Sequence, residues 1–389
     1  MARRLGALLP AIALAAGIQF AVSPAAQSAP VGDLRLAPTA TALPDSWIVV
    51  LKDGSTRASD FGVTPKHTYR SALRGFSARL TAAKAAQLAA DPRVAYVEQD
   101  EKVRLNATQS NAPWGLDRID QRDLPLSGTY TYSTPATTVH VYVIDTGIRT
   151  SHREFAGRAS VGADTVGGGQ NGQDCQGHGT HVAGTIGGKT YGVAKNVSLV
   201  AVRVLDCQGA GSTAGVIAGI DWVTANARKP AVANMSLGGG SNASLDSAVR
   251  RSIGSGVSYA VAAGNGNFLG QPQNACNYSP ARVPEAITVG ATDRTDRRAS
   301  FSNYGTCLDL FAPGVGITSA WRTTDSATAT ISGTSMAGPH VAGVAALHLA
   351  RNPNASPAQI RNTLVNNATN GKVADPLTGS PNKLLYSVF

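Results

Sequence analysis

From about Ala107 to the end of the chain, short β-rich segments alternate with helical ones, and few folds accept that pattern. Strand candidates are Thr138–Ile144, Ser198–Leu205, Ala231–Met235, Val257–Ala262 and Ala286–Val289. Helix candidates are His178–Thr185, Thr213–Ala227, Ser244–Ser255, Met336–Ala350 and Pro357–Val365. Alternation of this kind implies an α/β fold with a mostly parallel sheet. Residues 107–389 suffice for one large domain, and they show no repeat at a fixed period. The 42 glycines follow no triplet pattern, which excludes a collagen-like chain.

The segment before Ala107 reads differently. Arg3 and Arg4 open a run from Leu5 to Val22 that is apolar and rich in Ala and Leu, and small residues follow at Ala25–Ala29. That is the layout of a secretory signal peptide, residues 1–29. A membrane anchor is the rival reading. Pro10 interrupts the run and no basic stop-transfer cluster follows, which favours cleavage. No later segment holds 18 uninterrupted apolar residues. Within residues 30–106, Trp47–Leu51, Gly75–Leu80 and Arg93–Val97 have strand character. Thr81 can cap a helix running to Ala90. Residues of about 45–104 thus form a compact α+β module near the lower size limit for a stable core.

Charge excludes one class of partner. The net +10 divides evenly, because residues 1–106 hold 13 basic and 8 acidic side chains and the rest hold 21 and 16. No basic run resembles a nucleic-acid-binding arm. The four cysteines, Cys175, Cys207, Cys276 and Cys307, follow the export signal, so disulfides are favoured over free thiols. Four cysteines allow three pairings. A zinc site is the alternative, but no C-x-x-C is present.

Three segments carry chemistry. In Val139–Gly147 an apolar strand ends in Asp145 and a turn glycine, and catalytic groups of open α/β sheets gather at such strand ends. Alone, Asp145 reads as a turn or cap residue. In Gly177-His178-Gly-Thr-His181, His178 opens a glycine-rich helix and could act as a base. The His178/His181 spacing also suits a metal pair, but no acid sits at a zinc-signature spacing. In Gly333-Thr-Ser335-Met-Ala-Gly-Pro-His340, Ser335 lies at a helix N-terminus, where developing negative charge is favoured. Alone it would be an ordinary cap, and G-x-S-x-G is not met because residue 337 is Ala. A fourth segment, Gly209-Ala-Gly-Ser-Thr-Ala214, fits a dinucleotide fingerprint. Residue 229 is Lys, however, and Thr224–Asn234 has no acid, so that reading is rejected.

Asp145, His178 and Ser335 stand in the chain order of the subtilisin triad. With VYVIDTGI, GHGTHVAGTIGG, NMSLGGG, AAGN and GTSMAGPHVAG, residues 107–389 resemble the secreted subtilases of the proteinase K subfamily, closest to aqualysin-like proteases. The resemblance implies a subtilisin-like, mostly parallel sheet flanked by helices, preceded by a small α+β, ferredoxin-like inhibitor propeptide. It implies a serine endopeptidase of broad specificity, made as a zymogen. Ser335 would be the nucleophile, His178 the base, Asp145 its orienting carboxylate and Asn265 an oxyanion donor. Without the resemblance, Asn265 reads as a turn residue.

By the same route, Gly209, Ala210 and Gly211 match one peptide-binding edge, and Ser236, Leu237 and Gly238 match the other. Ala262, Ala263 and Gly264 match a wall of the S1 pocket, which implies apolar or aromatic P1 residues. The resemblance selects the pairs Cys175–Cys207 and Cys276–Cys307. It implies structural calcium held by Asp309 with the carbonyls of Pro284 and Ala286. A second site would use Asp117, Asp120 and the carbonyl of Gln121, although Ser127 stands near where relatives supply an acid. In the bland reading, Asp117 and Asp120 form surface ion pairs. No organic cofactor is expected. Partners would be protein and peptide substrates and the chain's own propeptide, acting as inhibitor and folding aid. No nucleic acid is expected, no membrane after signal removal, and a monomer outside the cell. Cleavage would fall near Asn106–Ala107.

Two departures stand out. Only about 24 residues separate Leu51 from Gly75, short for a full first helix and strand of the propeptide. Gly338 stands where relatives often carry Thr. The competing functions are a non-catalytic peptide binder, opposed by the intact Asp145, His178, Ser335 and Asn265, and an esterase with the same triad, opposed by two long peptide-binding edges.

Overall fold

The computed structural model describes residues 32–37, 42–102 and 107–388, and the chain divides into two units between residues 103 and 104. The signal segment 1–29 and residues 103–106 just before Ala107 lie outside the described residues.

The larger unit is built on a nine-stranded sheet. Across it the strands run Thr369–Asn370, Lys383–Leu384, Leu310–Pro313, Ile287–Thr292, Ser258–Ala262, Ala231–Met235, His140–Asp145, Ser198–Arg203 and Ala159–Asp164. Every adjacent pair is parallel except Thr369–Asn370 with Lys383–Leu384. Alternate side chains face opposite sides, as strand geometry requires. Val141, Val143, Leu199, Ala201 and Val232 enter one core with Val182, Ile186, Val341 and Val344. Tyr142, Ile144, Val202, Ala233 and Met235 enter the other with Val216, Ile220, Leu245 and Val249. Helices therefore cover both faces, and both faces of each central strand are dry. This is why these strands read as continuous apolar runs.

Local chemistry sets the helix starts. Ser212 Oγ accepts from the Gly215 N–H and caps Thr213–Asn226; Asn242 Oδ1 accepts from the Leu245 N–H and caps Ala243–Gly254. Ser356 and Gln359 form a reciprocal capping box at Pro357–Asn367. Two further helices, His178–Gly187 and Thr334–Arg351, begin at Gly177 and Gly333 with no side-chain cap, as does the short Trp114–Ile119 at Pro113. In the two longer ones the first-turn N–H groups are met instead by side chains around the site: those of His178, Gly179 and Thr180 by Gln176 Oε1, Thr146 Oγ1 and Asp174 Oδ2, and that of Thr334 by Asn265 Oδ1.

Four of the nine sheet strands were not expected from sequence, two of them the two-residue strands Thr369–Asn370 and Lys383–Leu384. Ala159–Asp164 is an edge strand of small, half-exposed residues and Leu310–Pro313 is only four residues long, so neither presents a strand-like run.

The smaller unit is a five-stranded sheet in the order Leu34–Arg35, Val94–Glu101, Ala42–Leu51, Gly75–Arg79 and His67–Tyr69. The pairs within Ala42–Glu101 are antiparallel, with the helix Ala82–Ala89 capped by Thr81. This is the ferredoxin-like order with its first helix reduced to one 3-10 turn, Ala58–Phe61. Trp47, Val49, Phe61, Phe76, Leu88 and Val97 form its core. The short Leu51–Gly75 connection thus still holds both elements, each cut to its minimum.

Candidate active site

Strand order reverses at His140–Asp145, since the chain visits Ser198–Arg203 on one side before Ala231–Met235 on the other. Ligand sites of open α/β sheets form outside the strand carboxyl ends at such a point. Asp145 is the last residue of its strand, Ser236–Gly238 follow Met235, and Ala263–Asn265 follow Ala262.

The His178 helix meets the Asp145 turn at close range. Gly147 has φ +104°, and a Cβ at Gly179 would lie 2.1 Å from the Gly147 carbonyl oxygen. Glycine at 179 is therefore required for the approach. The approach places His178 Nδ1 2.8 and 3.0 Å from the two carboxylate oxygens of Asp145, whose side chain is fully buried. Asp174, absent from the sequence-based site, ties this corner together. Its Oδ1 accepts from the Thr146 hydroxyl and from the N–H groups of Gln176 and Gly177; its Oδ2 accepts from the Thr180 N–H and hydroxyl. Burial opposes charge on His178. The Asp145 charge and hydrogen bond, with the Asp174 charge, outweigh it and hold the imidazole above its usual range.

Ser335 is the second residue of Thr334–Arg351. Pro339, inside that helix, has no N–H for the Ser335 carbonyl four residues back. The Ser236 hydroxyl donates to that carbonyl instead (2.8 Å), and the Ser335 hydroxyl donates to the Ser236 carbonyl (3.1 Å). A proline that would ordinarily weaken a helix here leaves an acceptor for the neighbouring segment. The Ser335 hydroxyl thus donates to Ser236 rather than to His178, and its proton can turn to another acceptor by rotation about the C–O bond. Catalytic hydrogen bonds often form only with substrate present.

Asn265 Oδ1 accepts from the Thr334 N–H (2.8 Å) and hydroxyl (2.9 Å). Those donors fix the amide orientation and leave Nδ2 free to donate on the side of Gly333 and Ser335.

A cavity of about 320 Å³ is lined by Gly238–Gly240, Ala262–Gly266, Ser335 and, unforeseen from sequence, Tyr278, Ala281 and Asn303, with no carboxylate in its wall. A groove of about 560 Å³ shares Ser236–Gly240 with it and runs past His178, Leu205 and Gly209–Gly211. Gly209–Gly211 leaves a turn at Cys207–Gln208 and pairs with no strand; the Asp206 N–H donates to the Ala210 carbonyl and Asp206 Oδ1 accepts from the Ala210 N–H. Beyond Gly238, Gly239–Gly240 pairs antiparallel with Tyr278–Ser279.

The disulfides are Cys175–Cys207 and Cys276–Cys307. The first joins the entry of the His178 helix to the turn before Gly209.

The proposed calcium ligands differ in fit. Asp309 Oδ2 accepts from the Thr288 N–H, while Oδ1 lies 2.5 Å from the Arg361 guanidinium, which a cation would have to displace. Asp117 accepts from the Ser127 N–H and hydroxyl and from the Gly128 N–H, so Ser127 satisfies it by donation; neither it nor Asp120 forms a surface ion pair. Asp120 Oδ1 is buried without a partner. Burial and the Asp117 charge, against the Thr131 hydrogen bonds, leave the Asp120 carboxyl raised to about 6. The unpartnered Asp120 oxygen, close enough to Asp117 to feel its charge, fits a hard cation. The Gln121 carbonyl already accepts from Arg118 Nη1 (2.7 Å) but has a second lone pair.

Comparison with known proteins agrees with this architecture. The subtilase family matches residues 136–380, and the peptidase inhibitor I9 family matches residues 45–106. An extracellular serine proteinase of a Thermus species is 58% identical over 328 residues, covering 84% of this chain and 79% of that protein. Alkaline serine exoprotease A of Vibrio alginolyticus is 51% identical over 379 residues, covering 91% and 70%. The crystal structure of a cold adapted subtilisin-like serine proteinase superposes with a TM-score of 0.69 at 57% identity, covering 72% of this chain and all of that one. The chain is a serine proteinase of the subtilase family, with an I9 inhibitor region ahead of its catalytic unit.

Proposed function

We propose that the chain is exported by residues 1–29, held inactive by residues 30–106, and released by self-cleavage near Asn106–Ala107 as a broad-specificity endopeptidase of residues 107–389. Export is supported by the name of the Thermus relative, and the inhibitor by the I9 match. The observation that carries the catalytic reading is the Asp145–His178 pair, its carboxylate buried and its imidazole half-buried on the groove that Ser335 borders through Ser236.

In this reading, Ser335 Oγ attacks the peptide carbonyl while His178 Nε2 takes its proton and later gives it to the leaving amine. Asp145 holds the Nδ1–H tautomer and stabilises the imidazolium. Asn265 Nδ2 and the Ser335 N–H, at the start of a helix, donate to the oxyanion; losing one such donor costs roughly 10²–10³ in kcat. The extended substrate lies between Gly209–Gly211 and Ser236–Gly238, bound largely through its backbone, which explains tolerance of many sequences. Its P1 side chain enters the cavity. Small apolar walls and no carboxylate favour apolar or aromatic P1 over Lys or Arg. Calcium, bound at Asp120 and Asp117 with the Gln121 carbonyl, and at Asp309 with the carbonyls of Pro284 and Ala286 once Arg361 turns outward, would neutralise buried carboxylates and take no part in the reaction. The enzyme acts as a monomer.

Expression of Ser335→Ala tests the scheme. The variant is expected to accumulate as an uncleaved precursor, with hydrolysis lowered by about 10⁶, the size measured in the related subtilisin. Efficient self-cleavage by this variant would overturn both the nucleophile and the autoprocessing.

A further inference from the structure

We propose that Phe268 and Leu269 form an exosite that takes apolar side chains of protein substrates beside the S1 cavity. Among the described residues of the catalytic unit, the other exposed large apolar residues, Leu124, Val161 and Val166, are scattered and no more than 41% exposed. Phe268 is 95% exposed and Leu269 65%, and they are adjacent. Isolated apolar exposure is ordinary, but a paired apolar tip at the edge of a cleft marks a contact site.

The tip is presented by a closed frame. The Asn267 N–H donates to the Gln271 carbonyl (2.9 Å), the Gly270 N–H donates to the Asn267 carbonyl (2.9 Å), and Asn267 Oδ1 accepts from the Leu269 and Gln271 N–H groups. Both feet stand on one atom. Asn303 Oδ1 accepts from the Gly266 N–H (3.0 Å) and the Gln273 N–H (2.8 Å). Gly266 and Asn303 both line the S1 cavity. Phe268 follows Asn265 by three residues, and three residues of extended chain reach at most about 11 Å. The tip therefore stands within a few residues' reach of the scissile bond, continuous with the cleft wall. A loop already ordered loses little entropy when a partner covers it. The occupant is a segment of the substrate chain outside the stretch that the groove holds. A short peptide that fills only the groove and the cavity does not reach the tip.

The inference rests on the proteolytic reading of the cleft, and one experiment separates the two. The double variant Phe268→Ser/Leu269→Ser and the unaltered protein are assayed on casein and on a tetrapeptide p-nitroanilide with Phe at P1. The expected result is a casein KM raised about five- to tenfold, the scale of losing one or two buried apolar contacts, with tetrapeptide kcat/KM unchanged within twofold. An unchanged casein KM overturns the exosite, and so does an equal loss on both substrates. A concentration-dependent dimer of the unaltered protein that the variant abolishes would also overturn it, by giving the tip to a second copy. Failure of the unaltered protein to cleave the tetrapeptide would sink the proteolytic reading itself.

Discussion

Single residues hold the reactive geometry, and not all of them are the reactive ones. Asp174 faces the same corner as Asp145, and its carboxylate spans the Asp145 turn, the Gln176–Gly177 loop and the first turn of the His178 helix. The other titratable groups around His178 are Asp145 itself, on the central strand, and the neutral, buried His181 on its own helix. His178 must be neutral to act as a base, and its pKa is raised, so kcat/KM should fall as pH drops through that raised value. Removing the Asp174 charge lowers the His178 pKa. The acid limb of the kcat/KM profile in Asp174→Asn should therefore move to lower pH. A purely structural Asp174 would leave the midpoint in place while lowering the rate. Gly338 gives a second residue-scale prediction. A Cβ there would lie 3.4 Å from Asn234 Oδ1 and 3.6 Å from Ser236 Oγ, ordinary contact distances, and Asn234 Oδ1 is buried without a partner. Gly338→Ser supplies helix propensity and a hydroxyl donor to that atom, so denaturant unfolding should show a gain of about 1 kcal/mol. A loss of stability would show that the space is already needed.

At the level of elements, legibility followed apolar continuity. Ala231–Met235 was read to the residue, because a buried parallel strand is apolar on both faces. All five expected helices of the catalytic unit lie within two residues of their observed ends, those with side-chain caps and those without alike. The site residues that motifs marked are those the structure brings to the strand carboxyl ends. Thr334 and Asn303 were not legible, because their side chains bond segments 30 or more residues away. Asp174 bonds N–H groups two, three and six residues on, and Tyr278 reaches the cavity through the pairing of Tyr278–Ser279 with Gly239–Gly240; neither arrangement matches a recognised motif. The Asp117–Asp120 segment was legible as two acids and ambiguous in purpose. In the proposed reading, the orphaned Asp120 oxygen beside Asp117 is a calcium ligand. Thermal unfolding with and without millimolar calcium should show a stabilisation that Asp120→Asn reduces. An undiminished calcium effect in that variant would assign the effect to Asp309 alone.

Across the whole molecule, the feature first read as strand–helix alternation has become a division of labour. The sheet buries two cores and leaves one rim of strand ends free, and the rim carries Asp145, the Ser236 segment and Asn265. Helices that start without caps bring His178 and Ser335 to the same rim. The ferredoxin-like unit is independently compact but has lost all but one turn of its first helix. This suits a role that ends when the unit is removed. A mostly parallel sheet of nine strands is rich in non-local pairings and so slow to form, which makes a folding aid physically useful. We propose Ser335, activated by the Asp145–His178 pair, as the nucleophile of a protein-cleaving site. The most direct test is to treat the mature enzyme with a fluorophosphonate, map the adduct by peptide mass spectrometry and follow casein hydrolysis in the same sample. The account predicts one adduct, on Ser335, with casein hydrolysis lost in proportion to labelling. Labelling of Ser335 in a protein that never cleaved casein, or full casein hydrolysis after complete labelling, would contradict it.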